Sequence, residues 1–262
     1  MSSTDQAGAA ASSRRLLTRE NIIVALTLAL AAGLAWAWLL SVPMAGAAAM
    51  GPGAMQPEPF ALTYLIPAFS MWSIMMVAMM VPSAAPMILL HARVDRAQSA
   101  VARRLHTLLF GLAYLLVWTA FSMTAAIAQA ALVASGAVAT AELSFRSSSI
   151  AAALLLLAAA YEMTATKRLC LDRCQAPLLF IVRYFKPGAA GAFRLGLIHG
   201  CYCLGCCWAL MLLLFVGGVM NLAWVAFLGI LVLGEKLALP QLHAERFVAG
   251  ALIAAGIVLL AY

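Results

Sequence analysis

The chain has 262 residues, of which 66% are hydrophobic and 10% charged, with a mean hydropathy of +1.02 and a formal charge of +7. So large an apolar share excludes an ordinary soluble domain and predicts an all-α polytopic membrane protein. The positive charge does not predict nucleic-acid binding, because the basic residues stand in short groups between apolar runs, as topology signals do.

Residues 1–20 are polar and Ala/Ser-rich, carry Arg14, Arg15 and Arg19, and read as a disordered cytoplasmic tail. Residues 21–262 then read as a single transmembrane helical domain. Its first run, 21–40, is long for a signal core although Ala45, Ala47 and Ala49 follow it, so a retained span is expected. Residues 41–60 form a loop by their Pro and Gly content, with Met44, Met50 and Met55 as either packing residues or outer catchers of a soft ion.

The second span, 63–90, holds Met71, Met75 and Met79 at four-residue spacing, within roughly 80° of helical arc. Met76, Met80 and Met87 cover the adjoining face, and Pro82 and Pro86 predict a locally broken helix of the kind that carries binding sites in transporters. Such a stripe serves equally as core filling. A basic loop with His91, Arg93, Arg96, Arg103, Arg104 and His106 leads to a third span, 107–134.

The fourth span, 150–166, contains Glu162, which either snorkels to the interface or faces inward as proton acceptor or ligand. Cys170 and Cys174 share a helical face beside Lys167, Arg168 and Arg173, and could receive or release an ion at the cytoplasmic surface. Residues 178–187 resemble an amphipathic surface segment.

The fifth span, 191–219, carries the densest chemistry: His199, Cys201, Cys203, Cys206 and Cys207 within nine residues. On a helix His199, Cys203 and Cys206 fall within roughly 60° of arc, Cys207 follows about 40° beyond Cys203, and Cys201 points away. The cluster lies roughly 12–24 Å into a ~30 Å hydrocarbon core, at the depth of Met75. Clustered thiols and imidazole suit a soft metal, whereas Gly196, Gly200 and Gly205 equally suit tight helix packing with inert cysteines. A sixth span, 222–238, ends at Glu235 and Lys236, and a seventh, 247–262, closes the chain. With seven spans and a cytoplasmic N-terminus, every one of the 16 Lys and Arg residues except Arg146 falls on the cytoplasmic side or its margin, as in a bacterial inner-membrane protein.

The run from Trp72 through Met87, with His199-Gly200, Cys203, Gly205, Cys206-Cys207-Trp208-Ala209-Leu210-Met211, Met220-Asn221-Leu222 and Glu235-Lys236, resembles the bacterial "predicted metal-binding integral membrane protein" family. The resemblance extends from about Tyr64 to Gly256 and takes in Lys167, Cys170 and Cys174. Cys201 is an extra of this sequence, and Glu162 stands where the pattern has glutamine. The resemblance implies a metal-binding membrane protein.

The expectation is therefore a soft transition metal between the second and fifth spans, anchored by His199, Cys203, Cys206 and Cys207 with thioethers from Met71, Met75 and Met79. Cys170, Cys174 and Glu162 are secondary candidates. Copper ranks above zinc because thioether is a poor zinc ligand, and the expected partners are the lipid bilayer and a metallochaperone or cuproenzyme. Two other classes fit the thiols: a membrane thiol-disulfide oxidoreductase, and a structural subunit of a membrane complex. No catalytic residue is assigned.

Overall fold

A computed structural model describes residues 19–41, 58–95, 97, 99–139, 142–238 and 242–261. Most of the expected tail, and the loop methionines Met44, Met50 and Met55, lie outside the described residues.

Helix α1 covers Arg19–Ser41, α2 Leu62–Val94 and α3 Ala100–Ala134. Two short antiparallel strands, β1 (Val138–Ala139) and β2 (Ser144–Phe145), lead to α4 (Ser148–Glu162) and α5 (Ala165–Gln175). The short α6 (Pro177–Tyr184) precedes α7 (Ala189–Leu212) and its one-turn extension α8 (Leu214–Gly217). The described chain ends with α9 (Leu222–Leu237) and α10 (Ala244–Ala261).

Local chemistry explains the boundaries. Ser99, Thr164 and Asn221 each accept a hydrogen bond from a first-turn amide, at Ala102, Lys167 and Trp224, and so start α3, α5 and α9. Gly188 enters α7 with φ 85°, a left-handed backbone that glycine adopts without penalty. At the interruption the Leu213 carbonyl accepts from the Val216 amide at 2.9 Å and also from the Trp224 indole N–H at 2.8 Å.

Among the described residues, five helices are long and apolar enough to cross a membrane, or six if α4 and α5 count as one span bent by 65°. The number falls short of the seven expected because α9 has 16 residues, below the length of a full straight span. The expected break in the second span is also corrected. α2 runs through Pro67, Pro82 and Pro86 without interruption. Pro82 cannot donate to the Ala78 carbonyl one turn back, and the Trp36 indole N–H of α1 donates to it instead, at 3.2 Å.

Packing runs from α1 to α2, from α2 to α3, from α3 to α7 and from α7 to α5, while α10 covers α4 and α9 lies against α2. Thus α3 stands between the methionine-bearing and cysteine-bearing helices. The α3–α7 contact is close because α7 presents glycine: a Cβ at Gly196 would strike the Phe110 carbonyl, and one at Gly200 would lie 2.8 Å from Val117 Cγ2. Outward positions such as Leu26, Leu116, Ile230 and Phe247 are large, apolar and exposed, which suits contact with lipid.

Candidate metal centre

The thiols gather where α7 meets α5. Cys203, Cys206 and Cys207 are buried on one side of α7, whereas Cys201 is exposed on the other, as the helical phase requires. Cys206 and Cys207 each donate from Sγ to the Cys203 carbonyl, at 3.1 and 2.9 Å, the backbonding available to a small polar side chain in a helix. Cys174 of α5 brings its Sγ to 3.9 Å from Cys206 Sγ. Cys170, one turn earlier, lies over Gly205, where a Cβ would come within 2.8 Å of its sulfur. Tyr161 donates to the Gly205 carbonyl and fixes the same contact. The two α5 cysteines are therefore drawn onto the α7 cluster instead of making a separate interfacial pair. All six cysteines are free.

Cys203 has two further partners. Its sulfur is 3.0 Å from the Tyr114 hydroxyl of α3 and 2.9 Å from Lys236 Nζ of α9. Tyr114 also contacts the Met80 carbonyl at 3.1 Å, and Lys236 donates to Ser83 Oγ at 2.9 Å, so both side chains tie α2 to α7. Of the two groups that Lys236 contacts, Ser83 Oγ and Cys203 Sγ, the thiol is the more acidic by its ordinary chemistry.

A second buried ionic group adjoins the first. Lys167 Nζ lies 2.8 Å from the Glu162 carboxylate and 2.7 Å from Glu235 Oε2, with all three side chains nearly or wholly buried. Glu235 and Lys236 are sequence neighbours that diverge by about 100° on their helix, so one reaches the ion triad and the other the thiol. Glu162 thus faces inward and is held by Lys167. Gln175 joins the same region by donating to the Glu235 carbonyl at 2.7 Å.

The remaining candidates are placed less directly. His199 is buried in an aromatic cage, with ring centroids 5.6 Å from Tyr114, 6.0 Å from Phe110 and 5.4 Å from Phe180. Met71 is partly buried and Met75 fully buried in α2. Met79 lies against Gly229 of α9 and lines a cavity of about 330 Å³ with Trp36, Pro82 and Ile230. The glycine lets α9 approach the methionine face, and Lys236, farther along α9, meets Cys203. Among the described residues, no three His, Cys, Asp or Glu side chains are disposed to hold a metal ion. What the fold provides instead is a close thiol pair, Cys174 and Cys206, with further thiols beside it; soft thiolates of this kind suit Cu(I) better than a hard cation.

Residues 69–259 match the PpoB2 family, described as copper chaperones. The chain belongs to this family. The matched segment contains α3 to α9 entire, hence every thiol and both buried lysines, and it overlaps the stretch on which the metal-related resemblance rests. Membership ties the chain to copper handling. No curated protein and no solved structure matches the chain.

Reasoning from sequence alone missed Tyr114 and Ser83, and placed Lys167 and Lys236 within the family resemblance without giving them a part in the site. The lysines carried a signal, since each ends an apolar run next to an acid or a cysteine motif. Apart from that resemblance, their positions at span margins are those of ordinary topology charges.

Proposed function

We propose that this is a seven-span protein of the bacterial cytoplasmic membrane, N-terminus inside, that takes up Cu(I) on buried thiolates and hands it to a cuproenzyme or a soluble metallochaperone. Cys174 and Cys206 form the primary pair. Cys203 and Cys207 adjoin it for exchange, His199 stands behind them, and Met71, Met75 and Met79 offer thioethers on α2, across α3 from the thiols. The 3.9 Å approach of Cys174 to Cys206 supports this reading, because two thiolates from different helices suffice for Cu(I) and can release it one ligand at a time. Zinc is disfavoured, since it asks for a closed set of four ligands. Anaerobic competition titration of the detergent-purified protein with a Cu(I) indicator tests the reading. Stoichiometric binding lost in the Cys174→Ser, Cys206→Ser variant is expected; equal binding by that variant would remove the thiol pair from the account.

The same distance favours one other reading. A thiol-disulfide oxidoreductase would join these sulfurs, the two thiols giving two protons and two electrons to a quinone, after a movement of about 2 Å to reach S–S bonding distance. A disulfide between Cys174 and Cys206 in protein isolated without reductant, with no copper bound by the reduced form, would support it.

A further inference from the structure

Two buried histidines share one aromatic neighbour. His91, near the end of α2, stacks on Phe110 at 5.1 Å, and His199 of α7 stacks on the same ring at 6.0 Å. They are 1% and 3% exposed, and Nδ1 of each has no hydrogen-bond partner. An unpartnered buried nitrogen costs stability, so one at each of two neighbouring imidazoles in an apolar sheath calls for a reason beyond packing.

Contacts extend from the two rings in both directions. At one end His199 stacks on Tyr114, whose hydroxyl meets Cys203 Sγ at 3.0 Å. At the other, His91 approaches Phe185 at 6.2 Å, and the Asp95 amide donates to the His91 carbonyl. Phe185 and Asp95 belong to the wall of a cavity of about 580 Å³ beside the basic loop, together with Val94, Ala97, His106 and Pro187. His106 and Asp95 are joined across that wall at 2.6 Å. A thiol cluster, two unpartnered imidazoles and a polar-lipped cavity therefore follow one another from α7 to the end of α2.

We propose that His91 and His199 are successive stations on which Cu(I) passes between the thiols and the cavity at Asp95 and His106. The inference rests on the copper reading above. Imidazole nitrogen is a competent Cu(I) ligand, and the aromatic faces of Phe110, Tyr114 and Phe180 tolerate a passing monovalent cation while excluding water. No redox step is involved: the ion exchanges a thiolate for a nitrogen and then the nitrogen for a ligand in the cavity.

The test loads the full-length protein in lipid nanodiscs with Cu(I) under anaerobic conditions and follows extraction by bathocuproine disulfonate in stopped flow. His91→Phe keeps the ring volume and the stack on Phe110 but removes the nitrogen, and His91→Ala serves as a second variant. Both are expected to slow extraction by about tenfold, equivalent to a barrier raised by ~1.4 kcal/mol. Equilibrium Cu(I) affinity, held by the thiols, should stay within about threefold, since His91 is no thiol-site ligand. Extraction at the wild-type rate in His91→Phe would overturn the passage. So would a loss of affinity that accounts for the whole change. Failure of the copper reading itself looks different, as the wild-type protein would then retain no Cu(I) to extract.

Discussion

Two lysines set the chemistry of the interior. Lys236 presents its ammonium to Cys203, and Lys167 holds Glu162 and Glu235 together, in places where water cannot solvate any of them. Breaking a buried ion group by removing one member leaves an uncompensated charge, and for Lys167 it leaves two carboxylates. Lys167→Met is therefore expected to lower stability by about 3–5 kcal/mol, read as a fall in the unfolding midpoint of the detergent-purified protein. Glu162→Gln, which retains the Lys167–Glu235 pair and an acceptor for a second N–H of Lys167, should cost only about 1 kcal/mol. Equal losses in the two variants would contradict the assignment of Lys167 as the hub. The sequence disclosed these residues as charges but not as partners, because pairing depends on α5 and α9 meeting 68 residues apart in the chain.

At the scale of elements, the apolar runs located the helices, and helical phase correctly separated Cys201 from the buried thiols. One local reading did not survive packing. Pro82 and Pro86 were expected to break the second span, but α2 continues because a neighbouring helix satisfies the carbonyl that Pro82 abandons. Met163 and Thr164, where no proline stands, mark the 65° bend between α4 and α5, with Thr164 capping the new helix. A double-mutant cycle tests the first point. Trp36→Phe should cost about 1–3 kcal/mol in the wild-type background, by stranding the Ala78 carbonyl, and distinctly less with Pro82→Ala, which restores an amide donor. The same cost in both backgrounds would mean that the indole bond contributes nothing specific.

For the whole molecule, the helices form a row from α1 through α2, α3 and α7 to α5, so that methionine and cysteine helices communicate through side chains of α3 and α9. Which residues carry soft ligands was legible in the sequence. Which of them converge was not, since helical phase says nothing about which helix covers a face. Among the described residues five helices are long and apolar enough to span, and the reading of seven adds the bent α4–α5 pair and the 16-residue α9. Seven spans put the two termini on opposite sides of the membrane. A C-terminal alkaline phosphatase fusion should accordingly be active and a C-terminal green fluorescent protein fusion dark; the reverse pattern would require an even number of crossings.

The central claim is that Cu(I) rests on the thiolates where α5 meets α7. X-ray absorption at the copper edge, on anaerobically loaded protein, examines the ion's own ligands. The account predicts Cu(I) with sulfur as the dominant scatterer, and loss of that sulfur shell in the Cys174→Ser, Cys206→Ser variant. Copper surrounded only by nitrogen and oxygen, or an unchanged sulfur shell in the variant, would contradict it.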